Sequence, residues 1–155
     1  MELRLLRDEE KNLLKDFLYE ALFVPMGAEP FPRSIIYKPE LSMYYEDFGS
    51  KADDNCIVAE VDDKVVGAVW TRIMDDYGHV DDETPSLAIS LYEEYRGKGY
   101  GTAMMKKMLE ILKENGYRKV SLSVQKANRA VRLYESLGFK VLIDKDDEYI
   151  MVREL

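Results

Sequence analysis

The sequence has neither the paired cysteines of a disulfide-bonded protein nor the long apolar runs of a membrane-spanning one. It has one cysteine, Cys56, in 155 residues, so no internal disulfide is possible, and the apolar run around Cys56 predicts a buried strand. No segment approaches the roughly 18 consecutive apolar residues of a membrane span. Glu2, Arg4 and Arg7 interrupt the first residues, where a signal peptide needs a continuous apolar core. We therefore expect a soluble, cytoplasmic protein with no membrane partner.

Positive charge is also scarce. The chain has 22 lysines and arginines against 30 aspartates and glutamates, a net charge of −8. This balance opposes binding to a phosphate backbone, so we expect no nucleic-acid partner and favour a cationic small molecule or a basic protein segment. A length of 155 residues with 46% hydrophobic residues suits one core, and we predict a single domain over residues 1–155.

Hydrophobic periodicity predicts alternating strands and helices. Strands are predicted at residues 2–7, 87–91 and 119–124 and in hairpins over 55–73 and 139–152, and helices at about 13–22, 39–48, 103–114 and 130–137. Asp8 is available as the cap of the first helix, and Pro39 and Gly49 bound the second. Prolines keep residues 24–33 irregular. The strand-helix-strand order over residues 87–124 predicts a parallel crossover, and so an α/β fold with a mixed sheet.

A glycine-bearing turn joins a predicted strand to an amphipathic helix at residues 89–102. Glycine allows close backbone approach to a ligand, and the first turn of a helix offers unpaired N–H groups at the positive end of its dipole. The segment therefore predicts a cradle for a pyrophosphate, with a plain tight turn as the alternative. Residues 101–104 lack the third glycine of a dinucleotide fingerprint, and Lys98 is followed by Gly99 rather than the Ser or Thr of a Walker loop.

Two motifs together resemble the GNAT superfamily of acetyl-CoA-dependent N-acyltransferases. Arg96-Gly97-Lys98-Gly99-Tyr100-Gly101 is similar to the family's Gln/Arg-x-x-Gly-x-Gly/Ala motif. Asn128, at the start of a short helix, and the segment 133–139 follow in the family's order and separation. The predicted elements also follow its β-α-α-β-β-β-α-β-α-β-β plan. The resemblance implies the GNAT fold, a central mixed, mostly antiparallel sheet flanked by helices.

The resemblance implies acetyl-CoA as the cosubstrate, with backbone amides on its pyrophosphate. The implied cofactor-binding residues are Ser90, Leu91, Tyr92, Arg96, Gly97, Lys98, Gly99, Tyr100, Gly101, Thr102, Ala103 and Asn128. In the family the cofactor strand splays from its neighbour at a bulge, which frees backbone groups for the pantetheine. N–H groups near Leu91 or Tyr92 would then stabilise the oxyanion. Asn128 also suits a plain helix cap, and Glu93 replaces a proline that many relatives have.

Two residues are predicted for acid–base chemistry. Tyr134 matches the family tyrosine that resembles a general acid for the leaving thiolate, although an aromatic residue on an apolar helix face is also common in cores. Some relatives carry a glutamate base where this chain has Ser123, which is too weak a base. Among the acidic residues 81–83, Glu83 is the first candidate for the base, with a merely solvated loop as the alternative. His79, in the same loop, is expected to be a surface residue.

The acceptor is expected to be a primary amine of a small molecule or a peptide. In the family the acceptor site is bounded by the segment between the first two helices, which here is aromatic and acidic and so suits an amine. The residues concerned are Met26, Phe31, Tyr37, Tyr44, Tyr45, Glu29, Glu40 and Glu46. Core packing of the second helix would explain Tyr44, Tyr45 and Phe48 equally well. The spacing of acidic residues and His79 over 75–83 matches neither an EF-hand nor a zinc motif, so no metal is expected. The rival hypothesis is a non-catalytic acyl-CoA-binding sensor, and the terminal strands offer edges for a homodimer.

Overall fold

The computed structural model describes all 155 residues, Met1–Leu155. Seven strands and four α-helices alternate along the chain: β1 (Glu2–Leu5), α1 (Leu13–Ala21), α2 (Pro39–Ser42), β2 (Asn55–Val61), β3 (Lys64–Arg72), β4 (Ser86–Leu91), α3 (Tyr100–Glu114), β5 (Lys119–Gln125), α4 (Ala130–Ser136), β6 (Lys140–Asp144) and β7 (Glu148–Glu154). The predicted element order is therefore confirmed. No helix has both the length and the apolar character that a bilayer crossing needs.

The strands form one sheet in the order β1-β2-β3-β4-β5-β7-β6. Every neighbouring pair is antiparallel except β4 and β5, which are parallel. α3 provides the crossover between these two central strands, because parallel neighbours need a long connection. The predicted mixed, mostly antiparallel sheet is confirmed. The hairpin from β2 to β3 turns at Asp62 and Asp63, which both have positive φ angles of 50° and 64°, as a tight two-residue hairpin requires.

Helices cover both faces of the sheet. α3 presents a fully buried methionine stripe, Met104, Met105 and Met108, to one face, as its 3.6-residue period predicts. α1 buries Leu14 and Phe17 against the other face. Side chains alternate along the strands, so β3 contributes to both clusters. The sheet is therefore the middle layer of a three-layer domain.

The predicted second helix is wrong over most of its length. α2 ends at Ser42, and residues 43–49 form tight turns in which Asp47 has a φ of 51° and Gly49 a φ of 95°. The cause is Arg72, at the end of β3. Its guanidinium donates to three main-chain oxygens of this segment, those of Met43, Glu46 and Asp47, at 2.6–3.3 Å. These carbonyls converge on Arg72, and a continuing helix would align them along its axis instead.

The predicted cap of the first helix is also wrong. Asp8 begins a separate 3₁₀ turn, Asp8–Glu10, and α1 starts only at Leu13. The side chain of Glu10 accepts the backbone N–H of Arg7 at 2.9 Å, and the same carboxylate binds Arg4 of β1 at 2.8 Å. This ion pair holds the pKa of Glu10 down at about 2. The charged contact to β1 therefore fixes a short turn where periodicity alone predicted the helix start.

Candidate active site

A gap opens between the two parallel strands at the centre of the sheet. β4 and β5 pair only at Ser86 with Ser121, although β4 continues to Leu91 and β5 to Gln125. The predicted splay of the cofactor strand is confirmed. The predicted bulge is not found, since β4 pairs with β3 from Ser86 to Leu91 without a register shift. β5 is likewise fully paired with β7, so each strand keeps its outer ladder while the two inner edges separate.

The free edge of β4 faces this gap. Tyr92 donates its N–H to the carbonyl of Val66 in β3 at 3.0 Å, and backbone groups in an antiparallel pair alternate in direction. The backbone groups of Ile89 and Leu91 therefore point toward β5, which does not pair with them. Of the two N–H groups predicted to stabilise an oxyanion, that of Tyr92 is already engaged and that of Leu91 remains.

At the open end of the gap, the glycine turn forms an anion cradle. Gly97 and Gly99 have left-handed φ angles of 74° and 83°, and Gly99 is the N-cap of α3. The first hydrogen bond of the helix is from Ala103 to Gly99 at 3.2 Å, and the N–H groups of residues 98–102 have no acceptor in the chain. A Cβ built on either Gly97 or Gly99 would meet no atom within 4 Å. Five unpaired donors at a helix N-terminus thus border open space, which fits a pyrophosphate.

Two residues of the predicted cofactor set have side chains that are engaged within the protein. Arg96 donates from Nε to the carbonyl of Leu91 at 2.9 Å and pairs with Glu20 at 3.3 Å. Ser90 donates its hydroxyl to the carbonyl of Phe17 in α1 at 2.6 Å. Arg96 therefore fastens the glycine turn to the end of β4, and Ser90 fastens β4 to α1. The Ser90 side chain therefore contacts α1 rather than the gap, whereas Arg96 occupies the Leu91 carbonyl at the gap edge of β4.

The predicted acid, Tyr134, is a buried side chain in α4. It is 9% exposed and packs on Phe139, with 5.9 Å between ring centroids. Its hydroxyl makes no hydrogen bond within the chain, and its oxygen is not completely enclosed by the protein. Burial raises the pKa of Tyr134 to about 12, so the phenol holds its proton at neutral pH and is a donor with no protein acceptor.

Asn128 precedes α4 and has a local role. Its side-chain oxygen accepts the N–H of Ala130 at 2.9 Å, and the residue at the cap position is Arg129. The amide NH₂ of Asn128 has no partner in the chain and is available to a ligand. The side-chain oxygen of Asn128 therefore stabilises the turn that leads into α4, although the residue at the cap position is Arg129.

The acidic loop, residues 75–85, does not carry Glu83 to the cradle. Glu83 is exposed, and its only hydrogen bond is from its backbone N–H to Asp81 at 2.9 Å. It precedes β4 at the closed end of the gap, the same end as Ser86, and its carboxylate makes no hydrogen bond that would fix it there. Asp82 is exposed and lies 3.5 Å from the Nε2 atom of His79. No group of three or more metal-ligating side chains is found.

The sequence did not single out Asp76, which the structure places at the closed end of the gap. Its carboxylate accepts the hydroxyl of Tyr44 at 2.6 Å and that of Ser86 at 2.7 Å. Ser86 is the first residue of β4 and the only one that pairs with β5. The nearby Gly78 is a signal that the sequence offered for this arrangement, since a Cβ there would lie 3.1 Å from the backbone nitrogen of Ser123. The loop must therefore lie directly on β5.

The aromatic residues predicted to face an acceptor divide between core and surface. Tyr44 is buried, and its carbonyl accepts the indole N–H of Trp70 at 3.1 Å. Tyr45 donates its hydroxyl to the carbonyl of Ile36 at 3.0 Å. Tyr37 remains 62% exposed. Core packing thus explains Tyr44 and Tyr45, and only the hydroxyl of Tyr44 reaches toward the gap, through Asp76.

Comparison with known proteins agrees with this geometry. The acetyltransferase (GNAT) family model matches residues 16–139. An N-alpha-acetyltransferase from Sulfurisphaera tokodaii is 33% identical over 114 residues, which cover 63% of this chain and 68% of that protein. Human N-acetyltransferase 8B is 29% identical over 118 residues, or 74% of this chain and 52% of that protein, so the chain spans about half the length of this relative.

The fold is also similar to that of solved acetyltransferases. The PaiA N-acetyltransferase from Thermoplasma acidophilum, solved in complex with coenzyme A, superposes with a TM-score of 0.73 at 21% identity, and the match covers 99% of this chain and 98% of that one. At this identity the likeness bears on the fold.

Proposed function

This chain belongs to the acetyltransferase (GNAT) family, whose acetyl donor is acetyl-CoA, and we propose that it transfers the acetyl group to a primary amine by direct attack. One observation carries the proposal. The unpaired edge of β4 leads straight into the unpaired N–H groups of residues 98–102. A free strand edge followed by an anion cradle matches a ligand whose two amide groups are followed by a pyrophosphate.

The predicted cofactor residues divide by the groups they offer. We propose that residues 98–102 hold the pyrophosphate through their backbone N–H groups, and that Leu91 offers its N–H to the oxyanion. Arg96 and Ser90 are positioning residues, because their side chains bind Leu91 and Phe17. The amide NH₂ of Asn128 is the part of that side chain available to the ligand.

We propose an α-amino group, at a peptide N-terminus or on an amino acid, as the acceptor. The similarity to an N-alpha-acetyltransferase supports this class. The net charge of −8 favours an ammonium ion over an anionic acceptor. The base that removes its proton has two candidates in the acidic loop: Glu83, which the sequence favoured, and Asp76, which lies at the closed end of the gap.

The chain's own residues contribute proton transfer and the binding of the oxyanion. Bound acetyl-CoA supplies the thioester carbonyl that a neutral amine attacks. The N–H of Leu91 stabilises the charge that develops on the carbonyl oxygen. The hydroxyl of Tyr134 donates a proton to the sulfur as the carbon–sulfur bond breaks, a role that suits a phenol with no other hydrogen-bond partner.

Tyr134→Phe is expected to lower kcat by about 100-fold, which is the lower range for loss of a general acid, and to leave the Kd for acetyl-CoA unchanged. The ring contact with Phe139 survives, so stability should hardly change. Tyr117→Phe is the matched control, because burial also raises the pKa of Tyr117 to about 12 but its hydroxyl binds Asp53, beyond the far end of α3. Stopped-flow turnover and calorimetric binding separate the two effects, and an unchanged kcat in Tyr134→Phe contradicts the assignment.

The function itself is tested by thiol release from acetyl-CoA. The acceptors are a heptapeptide with a free N-terminus, the same peptide N-acetylated with one internal lysine, L-aspartate and spermidine. Release with the free N-terminus and none with the blocked peptide supports an α-amine acetyltransferase. Tight acetyl-CoA binding without release for any acceptor supports the rival, a non-catalytic acyl-CoA-binding module.

A homodimer through the β6 edge also stays a proposal, as does the cytoplasmic location. β6 is the last strand of the sheet, and its consecutive residues Val141, Leu142 and Ile143 are 43–54% exposed. Apolar edge strands pair readily with another strand. Light scattering of the protein and of Leu142→Lys tests this proposal, since the charged variant should be monomeric if β6 forms the interface.

A further inference from the structure

The carboxylate of Asp76 joins three parts of the fold at the point where β4 and β5 separate. One oxygen accepts from Tyr44, in the segment after α2, and the other from Ser86, the first residue of β4. The loop then continues along β5, where Ser121 donates its hydroxyl to the carbonyl of Gly78 at 2.7 Å. Asp76 is therefore fixed in place beside the closed end of the gap.

This carboxylate has no cationic partner. Asp76 is half-buried and takes part in no ion pair, whereas Asp54 and Asp81 pair with Arg72 and Lys119. A partly desolvated carboxylate is normally paired with a cation, because removing it from water is costly. The charge of Asp76 is therefore balanced by no cation of the chain, and an ammonium ion could balance it.

The charged groups around Asp76 add to its negative field. Burial raises the pKa of Tyr44, and the nearby carboxylates of Asp76 and of Glu148 in β7 raise it further. Burial also raises the pKa of Tyr77, with Glu40 and Glu148 adding to the rise. Arg72 lies opposite Ser86 in β3, but its guanidinium is paired with Asp54 and with three carbonyls, so it makes no ion pair with Asp76. Tyr44 and Tyr77 therefore stay neutral, and the acidic groups from α2, the loop and β7 all favour an ammonium ion at this position.

We propose that Asp76, rather than Glu83, binds the acceptor's ammonium group and takes its first proton. This inference rests on the proposed function. Asp76 passes that proton to solvent, and the neutral amine forms the new carbon–nitrogen bond. The second proton leaves the nitrogen as the carbon–sulfur bond breaks, and it replaces the proton that Tyr134 gives to the sulfur. Tyr44 and Ser86 are positioning residues, because they act by holding the carboxylate.

The test compares three carboxylate-to-amide changes in the same loop. Asp76→Asn keeps a side-chain oxygen that accepts from Tyr44 or Ser86, so the loop should fold. Glu83→Gln changes the rival base. Asp82→Asn is the control, because that side chain is 97% exposed and binds no residue of the gap. Each variant is assayed with the free heptapeptide from pH 6 to 9.5, and its melting temperature and Kd for acetyl-CoA are measured.

We expect Asp76→Asn to lose about 100-fold in kcat/KM at pH 6.5, the lower range for loss of a general base, with an unchanged Kd for acetyl-CoA. The loss should shrink at pH 9.5, because α-amines with a pKa of about 8 are then already neutral in solution. A merely structural role would give a loss independent of pH. Ser86→Ala should show a smaller loss with the same pH trend.

Two results would overturn the inference, and they are distinguishable. If Asp76→Asn has the wild-type kcat/KM, or a loss that is equal at every pH, Asp76 is not the base. If only Glu83→Gln shows a pH-dependent loss, Glu83 is the base. If the wild-type protein releases no thiol with any acceptor while it binds acetyl-CoA, the proposed function fails and the inference fails with it.

Discussion

Gly99→Glu is expected to abolish acetyl-CoA binding while the fold persists. Gly99 is the N-cap of α3 with a φ of 83°, and no atom lies within 4 Å of a Cβ built on it. The new side chain therefore clashes with nothing in the protein and extends into the cradle. Its carboxylate would repel a pyrophosphate and occupy the space over the unpaired N–H groups of residues 98–102. We expect at least a 100-fold increase in Kd, or about 2.8 kcal/mol.

Two variants separate charge from backbone strain. Gly99→Gln has the same shape and the same left-handed strain of about 1–2 kcal/mol but no charge, so the difference in Kd between the two variants measures repulsion of the pyrophosphate. Gly116→Glu introduces the same residue at a φ of 88°, also in open space, beyond the other end of α3. It should lose similar stability and bind acetyl-CoA normally. Calorimetric binding of Gly99→Glu within threefold of the wild type would contradict the cradle.

The cradle was predictable because every interaction that forms it is local. The two left-handed glycines, the helix start and the apolar strand all lie within residues 86–103, so their spacing in the sequence carries the geometry. The same holds for Asp62 and Asp63 in the β2–β3 turn, whose positive φ angles close a hairpin between neighbouring strands. In both places the local conformational preferences and the final fold agree.

The acceptor side was predicted less well because its contacts are distant in sequence. The helix expected at residues 39–48 ends early because Arg72, 25–29 residues later, binds its carbonyls. Asp76 was not predicted as a base because its hydroxyl donors, Tyr44 and Ser86, are 32 and 10 residues away. Periodicity reports which face of a helix is apolar, but it does not report which carbonyls a remote guanidinium will bind. Glu83 was favoured only by its place before β4.

Arg72→Met is expected to cause the largest loss of stability among single changes at charged residues. Arg72 is 3% exposed, and it binds Asp54, whose side chain is fully buried, through two hydrogen bonds of 2.9 Å. The methionine would leave this carboxylate buried without its cation and three carbonyls without a donor. Breaking a buried pair from one side costs about 3–5 kcal/mol.

The surface pair Arg33–Asp16 provides the matched control. Its side chains are 55% and 36% exposed, so Arg33→Met should lower the free energy of unfolding by no more than about 1 kcal/mol. The double variant Arg72→Met/Asp54→Asn should be less destabilised than the sum of the two single changes, because it removes the unpaired charge. Urea unfolding measures the wild type and the four variants, and equal losses for Arg72→Met and Arg33→Met would contradict the structural role of the buried pair.

The same pair predicts how stability depends on pH. Burial would raise the pKa of Asp54, but the hydrogen bonds from Arg72 and from the N–H groups of Lys51 and Gly49 outweigh it and hold that pKa below its ordinary value. The stabilisation is therefore present above the unfolded-state pKa of about 3.9 and is lost as pH falls through the folded-state pKa. Asp54→Asn should show a shallower acid limb than the wild type. Because Arg72 holds residues 43–47, which include the Tyr44 that donates to Asp76, acid should loosen the acceptor side before the cradle, and acetyl-CoA binding should outlast turnover as pH falls.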